Sequence, residues 1–164
     1  MQGFPAFYRR IEKGARMSAD GYNGSVQTSV RLLCTDADRF FDQRQYSQAL
    51  ERWLAAWAQI PEPRSAWEGA AGILIAIGDC HLELEQDRKA YEVYCQVLEI
   101  PEFRDQQQLR LRLGMVCYEL DLLDRAGAEF AEMERLGEGG DAEWREPELD
   151  DLLESKFKLW PRLH

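Results

Sequence analysis

No run of 18 apolar residues occurs anywhere in the 164-residue chain, so no segment reads as a transmembrane helix. Histidine is scarce: His81 and His164 share no ligand spacing with the four cysteines Cys34, Cys80, Cys95 and Cys117, and no two cysteines form a CxxC pair. The usual zinc and redox signatures are thereby excluded, and no metal or cofactor is expected. Each cysteine sits in apolar, helix-like sequence, where a free thiol behaves as a small hydrophobe; reduced thiols in a cytoplasmic protein are the expectation. Basic charge is short as well. Twenty Lys and Arg stand against 30 Asp and Glu, a net charge of −10 and a pI near 4.7. A protein that grips phosphates needs a basic face, so no nucleic-acid partner is expected, and a basic protein partner is favoured. HExxH, GxSxG, a phosphate loop and a dinucleotide turn are all missing, and no strand pattern of period two is present.

What is present is soluble-globular composition, 45% hydrophobic and 30% charged, at a length that suits one domain with a real core. The charge is uneven. From Glu119 to Glu154 there are 14 acidic residues against Arg125, Arg135 and Arg145, whereas residues 1–16 carry Arg9, Arg10, Lys13 and Arg16 against Glu12. That basic start is followed by no apolar core or small-residue cleavage site, so a secretory signal is not expected. It reads either as an amphipathic arm or as an extension ahead of an alternative start at Met17. Residues 21–28, GYNGSVQT, are rich in turn formers and read as a loop.

Beyond the loop the apolar spacing is helical. Leu50, Trp53, Leu54 and Trp57 fall at i, i+3, i+4 and i+7, a stripe that Pro61 and Pro63 end. Further helices are expected over about 66–84, 87–99, 104–119, 122–136 and 147–159, with Pro147 in the first turn of the last. GEGGD at 137–141 follows a helix and reads as its C-cap. Cys80 and His81 are neighbours in sequence; on a helix their side chains diverge by about 100°, which defeats a nucleophile–base pair. A satisfied core histidine is the expected role for His81, and no catalytic residue or enzyme activity is expected.

Three stretches align with one another. Each starts at a small residue (Ala37, Gly78, Gly114), has Phe40, His81 or Cys117 three positions on, a second small residue twelve on (Ala49, Ala90, Ala126), and an aromatic four further (Trp53, Tyr94, Phe130). The starts are 41 and 36 residues apart. The pattern resembles the tetratricopeptide repeat (TPR), a unit of about 34 residues with small, small and aromatic positions at these offsets. The resemblance implies an all-α fold of helical hairpins stacked as about three TPR-like repeats, a short α-solenoid, with a C-terminal cap helix. The domain boundaries expected are an N-terminal arm and loop over 1–28 and the helical domain over 29–164. The small residues are expected to let the two helices of a hairpin approach, and the aromatic to fill the gap toward the next hairpin.

The resemblance also implies a concave face lined by the first helix of each hairpin. Its positions here are Arg31, Cys34, Asp38, Phe41 and Asp42; Gly72, Ile75, Asp79, Leu82 and Glu83; and Gln108, Leu111, Met115, Tyr118 and Glu119. The partner-binding candidates among them are Arg31, Asp38, Phe41, Asp42, Ile75, Asp79, Leu82, Glu83, Leu111, Met115, Tyr118 and Glu119. TPR co-chaperones that hold the C-terminal carboxylate of heat-shock chaperones use Lys, Arg and Asn at such places; Cys34 and Asp38 replace two of them here, and an acidic groove repels that ligand. The segments AIGDCHLEL, LRLRLGMVCYELDLLDRAGAEF and EPELDDLLESKF resemble the compact TPR-type immunity proteins of bacterial polymorphic toxin systems. That resemblance implies stoichiometric neutralisation of a cognate toxin, a basic nuclease suiting the acidity best. The size and acidity also resemble type III secretion chaperones of the TPR type, and a general TPR scaffold is the third reading.

Overall fold

The computed structural model describes residues 24–137, and every element among them is helical. The expected cap helix over 147–159 and the basic arm lie outside the described residues. The chain divides at Ile100/Pro101 into two units. The first holds α1 (Gly24–Asp42), α2 (Tyr46–Gln59), a 3-10 turn (Arg64–Ala66), α3 (Ala70–Glu83) and α4 (Asp87–Leu98). The second holds a 3-10 turn (Pro101–Phe103), α5 (Gln107–Glu119) and α6 (Leu123–Gly137).

Each pair α1–α2, α3–α4 and α5–α6 is a tight hairpin, and all three turn in the same way. Arg44, Glu85 and Asp121 adopt φ of 59°, 56° and 59°, the left-handed conformation that ends a helix. The next amide reaches back five residues each time: Gln45 N–H to Phe40 C=O at 2.9 Å, Gln86 to His81 at 2.8 Å, Leu122 to Cys117 at 2.8 Å. These turns repeat at the 41- and 36-residue spacing of the sequence alignment.

The small residues sit where the repeat demands. Ala37, Ala49, Ala90 and Ala126 are wholly buried, as is Gly78 beside the Tyr94 ring. A Cβ built on Gly78 would lie 2.4 Å from that ring, and one on Gly114 would lie 2.4 Å from the ring of Phe130. Only glycine lets the aromatic of the second helix lie against the backbone of the first. Tyr94 and Phe130 thus close their own hairpins, and Trp53 shares a core with α3 of the next hairpin, toward which the aromatic was expected to reach.

Inside the first unit the two hairpins share one core: Val30 and Ala37 of α1, Ala49, Trp53 and Ala56 of α2, and Ile73, Ala76, Ile77 and Cys80 of α3, with Ile60 between. The loop expected at 21–28 is corrected by α1, which begins at Gly24. Val26 already packs on the core four residues before Val30, and Thr28 returns its hydroxyl to the Gly24 carbonyl at 2.8 Å, so apolar spacing overrides turn-prone composition. The helix expected from residue 66 begins at Ala70, because Gly69 takes φ 89° at its start. The seven residues that the first repeat has beyond 34 form a fastened connection. Arg64 reaches the Ile60 carbonyl at 3.3 Å and Glu62 at 2.8 Å, and lies over the Trp57 ring.

Candidate functional site

The sequence-expected positions divide by burial. In the first unit Arg31 and Asp42 are exposed, Asp38, Phe41, Leu82 and Glu83 are half-buried, and Ile75 and Asp79 are buried. In the second, Leu111 and Met115 are buried, Tyr118 is half-buried and Glu119 is exposed. Helix α3 is buried along Ala70–Ala71 and Ile73–His81, and α5 along Leu109 and Leu111–Cys117, whereas α1 buries only Val30 and Ala37. The first helices of the second and third hairpins therefore offer less surface than a one-sided stripe would.

The first unit brings one group of these residues together. Asp38 of α1 and Asp79 and Glu83 of α3 all act on the Cys80 thiol, whose pKa burial pushes up to about 12 with help from the three carboxylates. Burial and Asp38 raise Cys34 likewise to about 12. Both thiols are held far from the thiolate a nucleophile needs. Phe41 meets Tyr46 of α2 edge-on, 5.2 Å between centroids at 67°, and the pKa of Tyr46 is raised by burial and by the nearby Glu83 carboxylate. Tyr46 was not among the expected residues; its place directly after the hairpin turn is the only sequence signal for it. Arg31 stands about two turns before Asp38 and supplies its carbonyl to Thr35 at 3.0 Å.

Asp79 is fixed from the other side, since the Tyr94 hydroxyl of α4 donates to its Oδ1 at 2.5 Å. His81 points its Nδ1 at Gln86 Oε1, 3.0 Å away, where Lys89 Nζ also donates at 3.2 Å. An amide oxygen only accepts, so His81 Nδ1 carries a proton in this contact. Burial lowers its pKa, partly offset by the Gln86 hydrogen bond. His81 is therefore engaged with Gln86 and is not aimed at Cys80.

In the second unit the buried Glu129 of α6 takes one arginine on each oxygen: Arg110 at 2.8 Å and Arg125 at 2.9 Å. Arg110 also donates twice to the Arg104 carbonyl, at 3.1 and 2.9 Å, which ties the start of the unit to its hairpin. Arg112 is buried too and returns one hydrogen bond to the Gln108 carbonyl at 3.3 Å. Among the described residues no three His, Cys, Asp or Glu side chains gather as a metal site, and no helix is long and apolar enough to cross a membrane.

No family model matches the chain, and no curated protein matches it. Among solved structures, the first TPR domain of Spaghetti (RPAP3), bound to the HSP90 peptide SRMEEVD, is similar over 82% of this chain and 94% of that one, with a TM-score of 0.61 and 13% identity. At that identity the likeness speaks for the fold, which is that of TPR helical hairpins.

Proposed function

We propose that the chain is a protein-interaction module and that it acts as an immunity protein, binding a basic toxin domain and occluding its active site. The observation that carries this reading is the joint placement of Asp38, Phe41, Tyr46 and Glu83 on the two stacked hairpins of the first unit. Aromatic surface interleaved with carboxylates suits a basic protein surface and speeds its association. The peptide bound by the RPAP3 domain carries two glutamates and a terminal Asp-carboxylate; the carboxylates on this chain would repel such a tail. The acidic run from Glu119 to Glu154 extends the same preference. A nuclease toxin, whose own substrate demands a basic face, is the best-matched partner.

Co-expression tests the reading. The product of the adjacent gene should arrest growth when produced alone, and this chain should restore growth and elute with it as a stoichiometric complex. An adjacent gene whose product is harmless, or a toxin that this chain fails to neutralise, sinks the immunity role. Recovery of a secretion translocator in its place would assign the chaperone role.

A further inference from the structure

The outward faces of the second helices differ from hairpin to hairpin. On α6, Asp124, Ala128, Ala131 and Arg135 follow one another at i, i+4, i+7 and i+11, so they lie along one face. All four are exposed, and the buried Ala126, Glu129, Phe130 and Met133 occupy the opposite side. The matching positions of the first hairpin are Ser47, Glu51, Leu54 and Ala58, and those of the second are Arg88, Glu92, Cys95 and Glu99. Each of those faces carries a carboxylate near its middle, Glu51 or Glu92, which a closely packed neighbour would strip of water at a cost. On α6 the middle is two alanines, and the ends carry opposite charges.

We propose that this face of α6 is a homotypic interface, paired antiparallel with α6 of a second copy of the chain. The face is complementary to itself. A two-fold axis at the level between residues 129 and 130 sets Ala128 opposite Ala131 of the second copy, and Asp124 opposite its Arg135; symmetry then repeats both contacts. Alanines let two helix backbones approach closely, and each end closes on an ion pair. Glu132 braces Arg135 on the outer side of the helix, accepting two of its N–H groups at 2.7 Å each. A guanidinium has five such donors and serves more than one carboxylate. On a chain of net charge −10, a second copy meets an opposite charge at each end of this face. The contact uses residues of the second unit alone and is independent of the immunity role.

Sedimentation velocity of the full chain tests it from about 10 μM to about 1 mM, because a single helix pair buries less than about 1,200 Å² and holds only a transient dimer. The weight-average mass is expected to rise with concentration from 19.0 kDa toward twice that value. Ala128→Glu, which gives α6 the carboxylate present on α2 and α4, is expected to abolish the rise. Asp124→Arg and Arg135→Glu put like charges at both ends and are each expected to weaken association by about tenfold or more. Mixed one to one, these two chains regain an opposite pair at each end, so the mixture is expected to associate as the native chain does. All the exchanged residues are exposed, so native helicity by circular dichroism is expected in every variant. A mass that stays at 19.0 kDa throughout would overturn the proposal and leave the face to the chain's own 147–159 segment or to another protein. Dimers that survive Ala128→Glu, or charge-reversed chains that stay monomeric when mixed, would overturn it as well.

Discussion

The second and third hairpins solve one packing problem with different chemistry. In both, a glycine on the first helix receives the ring of an aromatic on the second, Gly78 under Tyr94 and Gly114 under Phe130, at the same 2.4 Å approach to a would-be Cβ. The residue after each glycine then diverges. Asp79 accepts the Tyr94 hydroxyl, whereas Met115 stands at the matching place opposite a ring that has no hydroxyl. The third hairpin puts its buried charge elsewhere, on Glu129 between Arg110 and Arg125. The repeat fixes the small–aromatic contact, and the polar braces are free to move around it.

The largest expected effect breaks that relocated brace. Glu129→Ala removes the counter-charge of Arg110 and Arg125 together, and loss of one member of a buried pair costs about 3–5 kcal/mol; the partly exposed Arg125 pulls the expected value to the lower end. Urea unfolding should show it as a lower midpoint. Asp79→Ala in the second hairpin removes the acceptor of the Tyr94 hydroxyl and should cost about 1–3 kcal/mol. A loss at Asp79 equal to that at Glu129 would void the contrast.

Next come the glycines. Gly78→Ala and Gly114→Ala drive a methyl into a ring packed against backbone, an overpacking cost of about 1–3 kcal/mol that the better helix propensity of alanine only partly offsets. Shaving the ring should relieve it: Gly114→Ala with Phe130→Leu is expected to lie above the sum of the single losses. Strict additivity would mean that the ring is not what the glycine accommodates. In the first hairpin Ala37 already carries a buried methyl in the core that Trp53 shares, so Ala37→Gly should destabilise where its counterparts demand glycine.

Much of this was legible in the sequence because it is carried by period and spacing. The starts at Ala37, Gly78 and Gly114 gave the hairpins, and the offsets gave the three aromatics that close them. That Tyr94 and Phe130 also lie on the glycine of their own hairpin was not legible, because spacing says that a ring is buried without naming every helix it meets. The beginning of α1 was masked by Gly24, Ser25 and Thr28, whose turn preference is outweighed by Val26 and Val30 on one face. At the candidate site, Asp38, Phe41 and Glu83 followed from repeat positions. Tyr46 did not, since its part depends on a contact between α1, α2 and α3. Asp79 shows the reverse: a repeat position that promises a surface carboxylate is turned inward by a hydroxyl 15 residues away.

Exchanging the two rings sharpens the comparison at smaller cost. Tyr94→Phe deletes one donor to the buried Asp79 and should destabilise by about 1–2 kcal/mol, the cost of losing a buried hydrogen bond. Phe130→Tyr adds a hydroxyl opposite Met115, whose thioether is a weak acceptor, and should destabilise too. Adding Met115→Asp to Phe130→Tyr rebuilds the second hairpin's pair in the third and should recover part of that loss. No recovery would show that the two hairpins differ in more than this pair.

The smallest expected effect is one of pH, and it separates the hairpins by the residue three places after each glycine. In the second hairpin that residue is His81, in the third Cys117, and both are buried. Burial lowers the His81 pKa below its ordinary 6.5, and Lys89 opposes a second positive charge at Gln86. The unfolded chain therefore takes up a proton near 6.5 that the folded chain still refuses. Stability from this site is complete above about 6.5 and declines as the pH falls below it, toward the lower folded value. A thiol gains no proton in acid, so Cys117 gives the third hairpin no matching slope. Urea midpoints compared between neutral and mildly acidic buffer should fall for the native chain and fall less for His81→Gln, while Cys117→Ala lowers the midpoint at both pH values without changing the slope. An unchanged slope in His81→Gln would place the acid sensitivity on the carboxylates instead, and with it remove this distinction between the hairpins.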